Sequence, residues 1–432
     1  MISNLTAMIS YCASLTGLEI GLLVVVGLLC LMLRVLTRHQ EFRYNQELDG
    51  RIDEVLPALA GSTHGWVSAG NSVSFIQDAE YFENVAADIG QARCSVHFET
   101  FLWKCGEASE IIVAALIAAA RRKVDVRLLA DAHGSLGFTT EARKRLEEAG
   151  CRVTRHHRWL PRNFGRWNLR DHRKIVVIDG RLAYVGGHCV ADQWLKDCDF
   201  LPRYRDVTAR FTGPVVAAIQ STFLENWNEK TREVFTDDAT FPELEETGGA
   251  KVHVASMRAD GCPSSVQVLH YMAIALAKEK IRIQNPYFLP DSCGVKALVD
   301  AVARGVDVRV MTPAVTATDS KVVAYASRHV FGRLLKGGVR IFEYQNTLLH
   351  QKIISIDGRW AGIGSSNFDD RSFEINDEIT VGIADIDAVT ELDEIFEEDL
   401  KHCCERHYEE WKLRPAWKRA IDAFLHLFNE QF

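Results

Sequence analysis

The sequence predicts an α/β protein built from two homologous lobes, each a sheet covered by helices on both faces. Three observations lead to this prediction. The tetrapeptide VDVR begins at residue 124 and again at 306, and the pattern HxKxxxxDG begins at 172 and again at 350. The same order of apolar segments surrounds both pairs, which indicates a duplicated unit. Strands that alternate with helices are typical of a sheet with both faces covered.

Short apolar runs predict the strands of each half, and longer Ala-rich or charge-rich runs predict the helices. In the first half these are a strand at Ser95–Trp103, a helix at Ala108–Arg122, a strand at Val124–Ala130, a helix at Thr140–Ala149 and a strand at Cys151–Thr154. The second half repeats this order with a strand at Lys280–Gln284, a helix at Val295–Ala303, a strand at Val306–Met311, a helix that ends at Gly337-Gly338 and a strand at Val339–Glu343.

An acidic, glycine-containing stretch without an apolar period, Asp237–Ala250, is the natural linker between the two lobes. We therefore predict five segments along the chain. They are an N-terminal anchor with its juxtamembrane residues at 1–45, a first lobe at 46–236, the linker at 237–250, a second lobe at 251–410 and an amphipathic C-terminal tail at 411–432.

The composition is that of an ordinary globular protein with room for two or three domains. The chain has 432 residues, of which 47% are hydrophobic and 25% charged. Its net charge of −8 argues against a protein that coats a polyanion, although a local basic patch can still bind phosphate. The 11 cysteines show neither zinc-ligand spacing nor a disulfide framework, so a reducing compartment fits best.

The N-terminus has the composition of a membrane segment. Leu15–Leu36 is long enough to form a single spanning helix, in which Glu19 lies near one end and Arg34 reaches the interface at the other. Its charge-free core, Ile20–Leu33, is short, and a buried hairpin helix is the alternative.

The basic residues around this segment predict its orientation. No Lys or Arg precedes it, whereas Arg34, Arg38 and Arg43 lie at or beyond its end. By the positive-inside rule, the rest of the chain faces the cytoplasm. A cleaved signal peptide is disfavoured, because no basic region precedes the segment and no small-x-small site follows it.

The C-terminal tail carries an apolar stripe at helical spacing with a basic cluster at its start. The stripe supports two interpretations, a helix that caps the second lobe and an interfacial helix on anionic lipid. The stripe consists of Trp417, Ile421, Phe424, Leu425 and Phe428, and the cluster of Lys412, Arg414, Lys418 and Arg419.

Each copy of HxKxxxxDG places a histidine and a lysine two residues apart, so that on a strand both lie on the same face. Pseudo-twofold symmetry would bring two imidazoles and two ammonium groups to one anion. This set suits a phosphodiester, because one histidine can attack phosphorus, the other can move protons, and the lysines can neutralise the non-bridging oxygens. The chemistry requires no metal or cofactor. The predicted catalytic residues are His172, Lys174, Asp179, His350, Lys352 and Asp357.

The flanks of the motifs supply residues that could bind phosphate or orient the histidines. After the second motif, Gly364 would let the backbone approach phosphate, and Ser366 and Asn367 can donate hydrogen bonds. Asp206 and Glu378 lie downstream of the first and second motif, and a carboxylate on the far nitrogen of each histidine would fix its tautomer. A tight turn and ordinary surface ion pairs are the alternatives.

Residues 155–170 contain five arginines interleaved with aromatic and histidine side chains. Two functional interpretations compete for this segment. It docks lipid headgroups at a bilayer surface, or it grips a nucleic-acid backbone while its aromatic side chains stack on bases. A solvated loop without a ligand is the third possibility.

The doubled HxKxxxxDG resembles the phospholipase D superfamily, and its flanks resemble the bacterial cardiolipin synthase branch of that superfamily. The resemblance covers roughly residue 60 to the C-terminus. It is carried by the segments NLRDHRKIVVIDG (168–180), YVGGHCVADQW (184–194), YRDVTARFTGPVV (204–216), FLENW (223–227), NPYFLPD (285–291), GVDVRVMTP (305–313), LLHQKIISIDG (348–358) and GSSNFDDRSFEINDE (364–378).

The resemblance implies a two-lobe α/β/α sandwich with the site between the lobes and a ping-pong reaction through a phosphohistidine. His172 would be the nucleophile, His350 the general acid and base, and Asp206 and Glu378 the carboxylates that orient the histidines. The first lobe departs from the family pattern Gly-Gly-x-Asn, because Cys189 follows Gly187 and His188 where asparagine is expected. Gly187 keeps the place of a phosphate-site glycine.

The resemblance further implies that two phosphatidylglycerols, or phosphatidylglycerol and phosphatidylethanolamine, are joined to cardiolipin. Together with the one predicted span at Leu15–Leu36, it leads us to expect a single-pass protein of the bacterial inner membrane. The first alternative is hydrolysis of phospholipid to phosphatidic acid at the same residues. The second is a phosphodiesterase or nuclease, which the net charge and the predicted membrane anchor disfavour. Nucleic acid is therefore an unlikely partner, and phospholipids and a membrane surface are the expected ones.

Overall fold

A computed structural model describes residues 17, 21–22, 24–28, 48–157, 168–198, 202–258 and 264–426. The chain divides into two compact units, Met1–Tyr44 and Asn45–Phe432. In the first unit the described residues are helical. Its large apolar side chains, Leu22, Val24, Val25, Val26 and Leu28, are exposed. Most of the predicted span Leu15–Leu36 lies outside the described residues, and none of the helices described anywhere in the chain combines the length and apolarity that a bilayer crossing requires.

The second unit alternates strands and helices. Its first half contains α1 Leu56–Thr63, β1 Trp66–Gln77, α2 Glu80–Gln91, β2 Ser95–Thr100, α3 Glu107–Arg121, β3 Asp125–Asp131, α4 Thr140–Glu148, β4 Arg152–His156, β5 Arg170–Asp171, β6 Ile175–Ile178, β7 Leu182–Gly186, α5 Asp192–Leu195, β8 Val207–Thr212 and α6 Val215–Thr231. Residues 232–249, most of the predicted linker, contain neither helix nor strand.

The second half repeats this alternation and adds two helices at the C-terminus. It contains β9 Ala250–Met257, α7 Ser265–Leu276, β10 Lys280–Gln284, β11 Phe288–Leu289, α8 Ser292–Ala303, β12 Asp307–Pro313, α9 Lys321–Lys336, β13 Arg340–Tyr344, β14 Ile353–Ile356, β15 Trp360–Gly364, β16 Phe368–Asp369, α10 Asp370–Glu374, β17 Asn376–Ala384, α11 Ile386–Leu400, β18 Cys403–Arg406, α12 Tyr408–Lys412 and α13 Ala416–His426.

One mixed sheet of 16 strands runs through both halves. Its centre is the antiparallel pair β1–β9. Outward from this pair, one side has the order β8, β7, β6, β2, β3, β4, and the other has β17, β15, β14, β10, β12, β13, with β18 at that edge. Strands from corresponding places in the two halves thus lie at equal distances from the centre. The short strand β5 leaves this path and pairs with β17, so a first-half segment crosses to the second half.

Both faces of the sheet are buried. In β6, Val176 and Ile178 belong to one core, whereas Ile175 and Val177 belong to another, as expected when successive side chains point to opposite faces. The second of these cores also contains Phe211 of the first half together with residues of β15, β17 and α11 of the second. The two predicted lobes therefore share a sheet and a core, and Asn45–Phe432 is one compact unit because of it.

Candidate active site

The two motif histidines lie directly before β6 and β14, in extended segments outside the regular ladder. The sequence had suggested that each His-x-Lys is part of a strand. The difference arises because the backbone amides of both histidines donate hydrogen bonds to carbonyl groups of the opposite half. The His172 amide donates to the Asp377 carbonyl at 3.0 Å, and the His350 amide donates to the Arg205 carbonyl at 2.7 Å. Each histidine is thereby fixed at the junction of the two halves.

Each histidine contacts a carboxylate from the opposite half. Nδ1 of His172 lies 2.8 Å from Oε1 of Glu378, and Nδ1 of His350 lies 2.8 Å from Oδ2 of Asp206. The sequence suggested both carboxylates but did not show that the pairs are exchanged between halves. Because ionised carboxylates only accept hydrogen bonds, each Nδ1 carries the proton and each Nε2 keeps a lone pair. A half on its own would contain a histidine without its carboxylate.

Burial controls the charges of the two rings. It lowers the pKa of His172 to about 4, although Glu378 acts in the opposite direction. Burial also lowers the pKa of His350 well below its usual range, and the charges of Lys352, Lys174 and His172 lower it further. Since Lys174 and His172 act on His350, the two motifs form one electrostatic site. Both rings are neutral at neutral pH in the free protein.

The two carboxylates respond differently to burial. Burial raises the pKa of Glu378, but His172, Lys174 and a hydrogen bond from Ser365 outweigh it and hold the pKa at about 2. The pKa of Asp206 is raised, because burial outweighs the nearby cations and the hydrogen bond from Trp194. Glu378 is thus the more firmly ionised partner.

The motif lysines are buried beside the histidines. The ammonium group of Lys174 donates to the carbonyl of His172. That of Lys352 donates to the carbonyl of His350 at 2.7 Å and lies 3.0 Å from Nε2 of the same ring. Burial lowers the pKa of Lys352 to about 7, with Lys174 lowering it further. The ammonium group of Lys352 therefore lies within hydrogen-bond distance of His350 and has a pKa close to neutral.

Four residues that the sequence did not single out complete the two pairs. Ser365 donates to Oε2 of Glu378, and Trp194 Nε1 donates to Oδ2 of Asp206 at 2.8 Å. Phe101 contacts the His172 ring edge-on, with centroids 4.9 Å apart, and Trp194 does the same to His350 at 5.0 Å. Arg173, the middle residue of the first His-x-Lys, is fully buried and donates to the Glu378 carbonyl at 3.3 Å. Ser365 lies inside the recognised GSSN sequence, but the aromatic contacts leave no sequence signal.

The predicted phosphate-binding residues divide into two groups. Asn367 is buried, and its side-chain Oδ1, a hydrogen-bond acceptor, has no partner among the described residues. Ser366 Oγ lies 3.2 Å from Thr380 Oγ1. The glycines allow close packing. A Cβ on Gly187 would lie 2.4 Å from the Asp206 carboxylate, and one on Gly364 would lie 2.1 Å from the Ile379 carbonyl. Their expected role in phosphate approach stays a prediction.

The motif aspartates lie at the opposite ends of β6 and β14 from the histidines, and their predicted place in the catalytic set stays a prediction. The Asp179 carboxylate accepts from the amides of residues 93–95, and the Asp357 carboxylate from the amides of residues 278–280. Both residues have positive φ, 53° and 55°, followed by a positive-φ glycine. Since such a turn suits Asp-Gly, these residues close the hairpins β6–β7 and β14–β15.

On the first-half side, His188 and Cys189 stand where the second half has Ser366 and Asn367. Nδ1 of His188 lies 2.8 Å from Thr208 Oγ1 and its Nε2 lies 2.8 Å from the Asp78 carbonyl. Cys189 is buried. These contacts occupy both ring nitrogens of His188, whereas Oδ1 of Asn367 in the second half has no partner among the described residues, so the candidate site is asymmetric.

Within the described ranges, one group of side chains is close enough to share a cation, namely His156, His157 and Asp377. His157 Nε2 lies 2.7 Å from Asp377 Oδ2, as in a simple hydrogen-bonded pair. Of the predicted basic segment 155–170, residues 158–167 lie outside the described residues. Arg155 donates to the Phe138 carbonyl at 3.0 Å.

Comparisons with known proteins agree with this geometry. A family model described as cardiolipin synthase, PLD-like domain, matches residues 85–196 and 271–400. The major cardiolipin synthase ClsA of Bacillus subtilis is 32% identical over 395 residues, which are 90% of this chain and 81% of that protein. A cardiolipin synthase of Staphylococcus aureus is 31% identical over 383 residues, covering 88% and 77%. The crystal structure of Haemophilus influenzae phosphatidylserine synthase has a TM-score of 0.67 at 14% identity, covering 87% of this chain and 100% of that one.

The shared sheet and the facing His-x-Lys pairs are consistent with a phospholipase D-like protein, and the match to the PLD-like domain model shows this class. Sequence identity to the cardiolipin synthases, over most of this chain and most of each relative, narrows this class to one family. The chain belongs to the cardiolipin synthase family of the phospholipase D superfamily.

Proposed function

We propose that this protein is a cardiolipin synthase-like phosphatidyltransferase, which joins two phosphatidylglycerols into cardiolipin and releases glycerol. Phosphatidylethanolamine is an alternative donor. The observation that carries the proposal is the exchanged pair of hydrogen bonds His172–Glu378 and His350–Asp206, which places two oriented imidazoles in one buried site. Two histidines suffice for a double displacement, in which one bonds to phosphorus and the other transfers protons.

In the first step, Nε2 of His172 attacks phosphorus of the donor lipid. A P–N bond forms, the P–O bond to the headgroup glycerol breaks, and protonated His350 gives its proton to the departing oxygen. Glu378, ionised throughout, stabilises the positive charge that develops on the His172 ring. The free His350 ring is neutral, but a bound phosphodiester anion favours its charged form, and Lys352 is 3.0 Å away as a proton source.

In the second step, the free hydroxyl of another phosphatidylglycerol headgroup attacks the phosphohistidine. Neutral His350 removes the proton from that hydroxyl, a new P–O bond forms and the P–N bond breaks. Lys174, Lys352 and the Asn367 amide stabilise the charge on the non-bridging oxygens. The protons balance over the cycle, because the proton given to glycerol is recovered from the second lipid.

We further propose that the halves are related by a pseudo-twofold axis between β1 and β9, with the single-pass anchor at Leu15–Leu36 holding the catalytic unit at the cytoplasmic face of a bacterial inner membrane. The matching strand orders support the first part. The exposed apolar side chains of residues 22, 24–26 and 28 support the second, since such a surface favours lipid over water.

The test is incubation of the purified full chain with phosphatidylglycerol vesicles, followed by mass spectrometry of lipids and assay of glycerol. Cardiolipin and glycerol in equal amounts, absent with His172→Ala, are the expected result. Phosphatidic acid without cardiolipin would assign the hydrolase reaction instead. Cleavage of a labelled oligonucleotide without any lipid product would replace both with a nuclease.

A further inference from the structure

The C-terminal helix α13 exposes large apolar side chains and buries an acidic one, which is the reverse of an ordinary surface helix. Trp417, Ile421 and Phe424 lie within about 60° of one another around its axis and are 62%, 43% and 60% exposed. The acidic side chain of Asp422, in contrast, is 2% exposed. A surface helix of a globular protein normally buries its apolar stripe and exposes its charges. Of the two interpretations of the tail, a capping helix is therefore disfavoured for this stripe.

Specific contacts hold the helix in this orientation. The buried carboxylate of Asp422 pairs with Arg414, and the ring of His426 stacks on that of His329 in α9 with centroids 4.6 Å apart. Leu425 packs against a small cluster that includes residues of β11 and α9. Because the side of α13 that carries Asp422, Leu425 and His426 is held against the protein, the side that carries Trp417, Ile421 and Phe424 faces outward.

A basic, aromatic cavity of about 320 Å³ lies between α9, α12 and α13, on the side of α13 that carries Arg419 and Asp422. The Trp411 ring lines this cavity and contacts two guanidinium groups. That of Arg414 lies 4.1 Å and that of Arg328 5.1 Å from the ring centroid. Nε of Arg328 is buried and has no hydrogen-bond partner among the described residues. Lys412 and Arg419 also line the cavity, against a single acidic side chain, so it favours an anion.

This surface is connected to the candidate active site through few elements. Helix α13 packs on α9, α9 contacts β11, and β11 pairs with β16. Strand β16 begins at the residue after Asn367. Whatever binds α13 is thus separated from the phosphate-binding edge of the site by one helix and a two-stranded ribbon.

We propose that the surface formed by α12 and α13 docks on an anionic lipid bilayer, with Trp417 and Ile421 inserted at the interface and the Lys and Arg side chains of this surface facing lipid phosphates. An apolar stripe bordered by Lys and Arg fits a negatively charged bilayer, which supplies both hydrocarbon and phosphate. A nucleic acid would satisfy the cations but not the aliphatic side chains. The proposal does not depend on the reaction that the active site performs.

Hydrogen–deuterium exchange of the full chain in proteoliposomes tests this docking. Vesicles of phosphatidylcholine are compared with vesicles in which about a quarter of the lipid is phosphatidylglycerol. We expect exchange in peptides covering residues 411–426 to slow about threefold or more with phosphatidylglycerol. Free inorganic phosphate added to phosphatidylcholine vesicles should leave the exchange unchanged.

Matched variants assign the effect to residues. Trp417→Ala should abolish the additional protection, whereas Trp66→Ala, at an equally exposed tryptophan on β1, should retain it. Arg419→Glu should weaken it, whereas Lys144→Glu, the same charge change on the exposed face of α4, should not. His172→Ala should show the same protection as the wild type, which separates this proposal from the proposed chemistry.

Equal exchange in both lipids would refute the docking. Protection that appears in detergent without lipid and grows with protein concentration would also refute it, because the stripe would then be covered by a second copy of the chain.

Discussion

The half of the site around His172 and the half around His350 differ in the carboxylate that orients each ring. Glu378 accepts hydrogen bonds from His172 and Ser365, and its pKa is about 2. Asp206 accepts from His350 and Trp194, yet burial keeps its pKa raised. The geometry is nearly the same in both halves, so the difference lies in how completely each carboxylate is compensated.

The lysines add to this difference. Lys352 lies 3.0 Å from Nε2 of His350 and has a pKa of about 7. Lys174 instead contacts the backbone carbonyl of His172. A nucleophile benefits from a permanently ionised partner, whereas a general acid needs a proton that leaves easily near the working pH. The comparison therefore supports His172 as nucleophile and His350 as acid and base.

The largest expected effect separates the two histidines. His172→Ala and His350→Ala should each reduce turnover about 10⁴-fold or more. With a phosphatidyl ester of p-nitrophenol, which leaves without protonation, His350→Ala should still release about one nitrophenol per protein as a burst, and His172→Ala none. Stopped-flow absorbance measures the burst. A burst from His172→Ala alone would exchange the two roles.

Substitution of the two carboxylates should give unequal losses. Glu378→Gln removes the anion that supports the nucleophile, and kcat should fall about 10³- to 10⁴-fold. Asp206→Asn should cost less, about 10- to 100-fold. Steady-state assays in mixed micelles measure both. Equal losses would show that the charge difference between the halves has no catalytic consequence.

The low pKa of Glu378 predicts that the protein becomes less stable in acid. Its folded pKa of about 2 lies below the ordinary value of 4.5, so its contribution to the free energy of unfolding is complete above pH 4.5 and declines as pH falls towards 2. Chemical denaturation of wild type and Glu378→Gln across this range should show a smaller pH dependence in the variant. An unchanged dependence would contradict the assigned pKa.

The pH dependence of turnover should reflect Lys352. As pH rises through about 7, the ammonium group of Lys352 loses a proton and kcat/KM should decline. This decline is the alkaline limb of the pH profile. Lys352→Arg should move the limb to higher pH with a lower maximum, because arginine stays protonated. Lys174→Arg is the matched control and should leave the limb in place. A limb that moves with Lys174→Arg instead would assign it to the other half.

Removal of the second donor to each carboxylate should have smaller effects. Ser365→Ala and Trp194→Phe each delete one hydrogen bond, while Trp194→Phe keeps an aromatic ring against His350. We expect kcat to fall about 10-fold or less in each case, with KM unchanged. A change confined to KM would mean that these residues contact lipid rather than position the carboxylates.

The smallest effect on turnover is expected from the motif aspartates. Asp179→Asn and Asp357→Asn weaken hydrogen bonds to backbone amides at hairpin ends, so the free energy of unfolding should fall by about 1–3 kcal/mol. The kcat of the folded fraction should stay close to that of the wild type. Thermal denaturation and assays at low temperature distinguish the two effects. A large loss of kcat would show that these residues act in catalysis.

Local sequence patterns were sufficient for the elements and for the identity of the main groups. The predicted strand Lys280–Gln284 has the bounds of β10, and the other predicted strands and helices lie within a few residues of their structural counterparts. His172, Lys174, His350 and Lys352 could be selected because spacing within one short segment repeats. The alternation of apolar and polar residues and the spacing within motifs depend only on neighbours along the chain. They can therefore be recognised from the sequence without the structure.

The tertiary structure alone decided which groups meet. Glu378 bonds to His172 across 206 residues, and Trp194 reaches Asp206 only because the chain folds back after β7. The joining of both halves into one sheet, the low pKa of Lys352 and the outward stripe of α13 likewise depend on burial by distant segments. Burial and long-range pairing are properties of the assembled chain, and no local pattern encodes their strength.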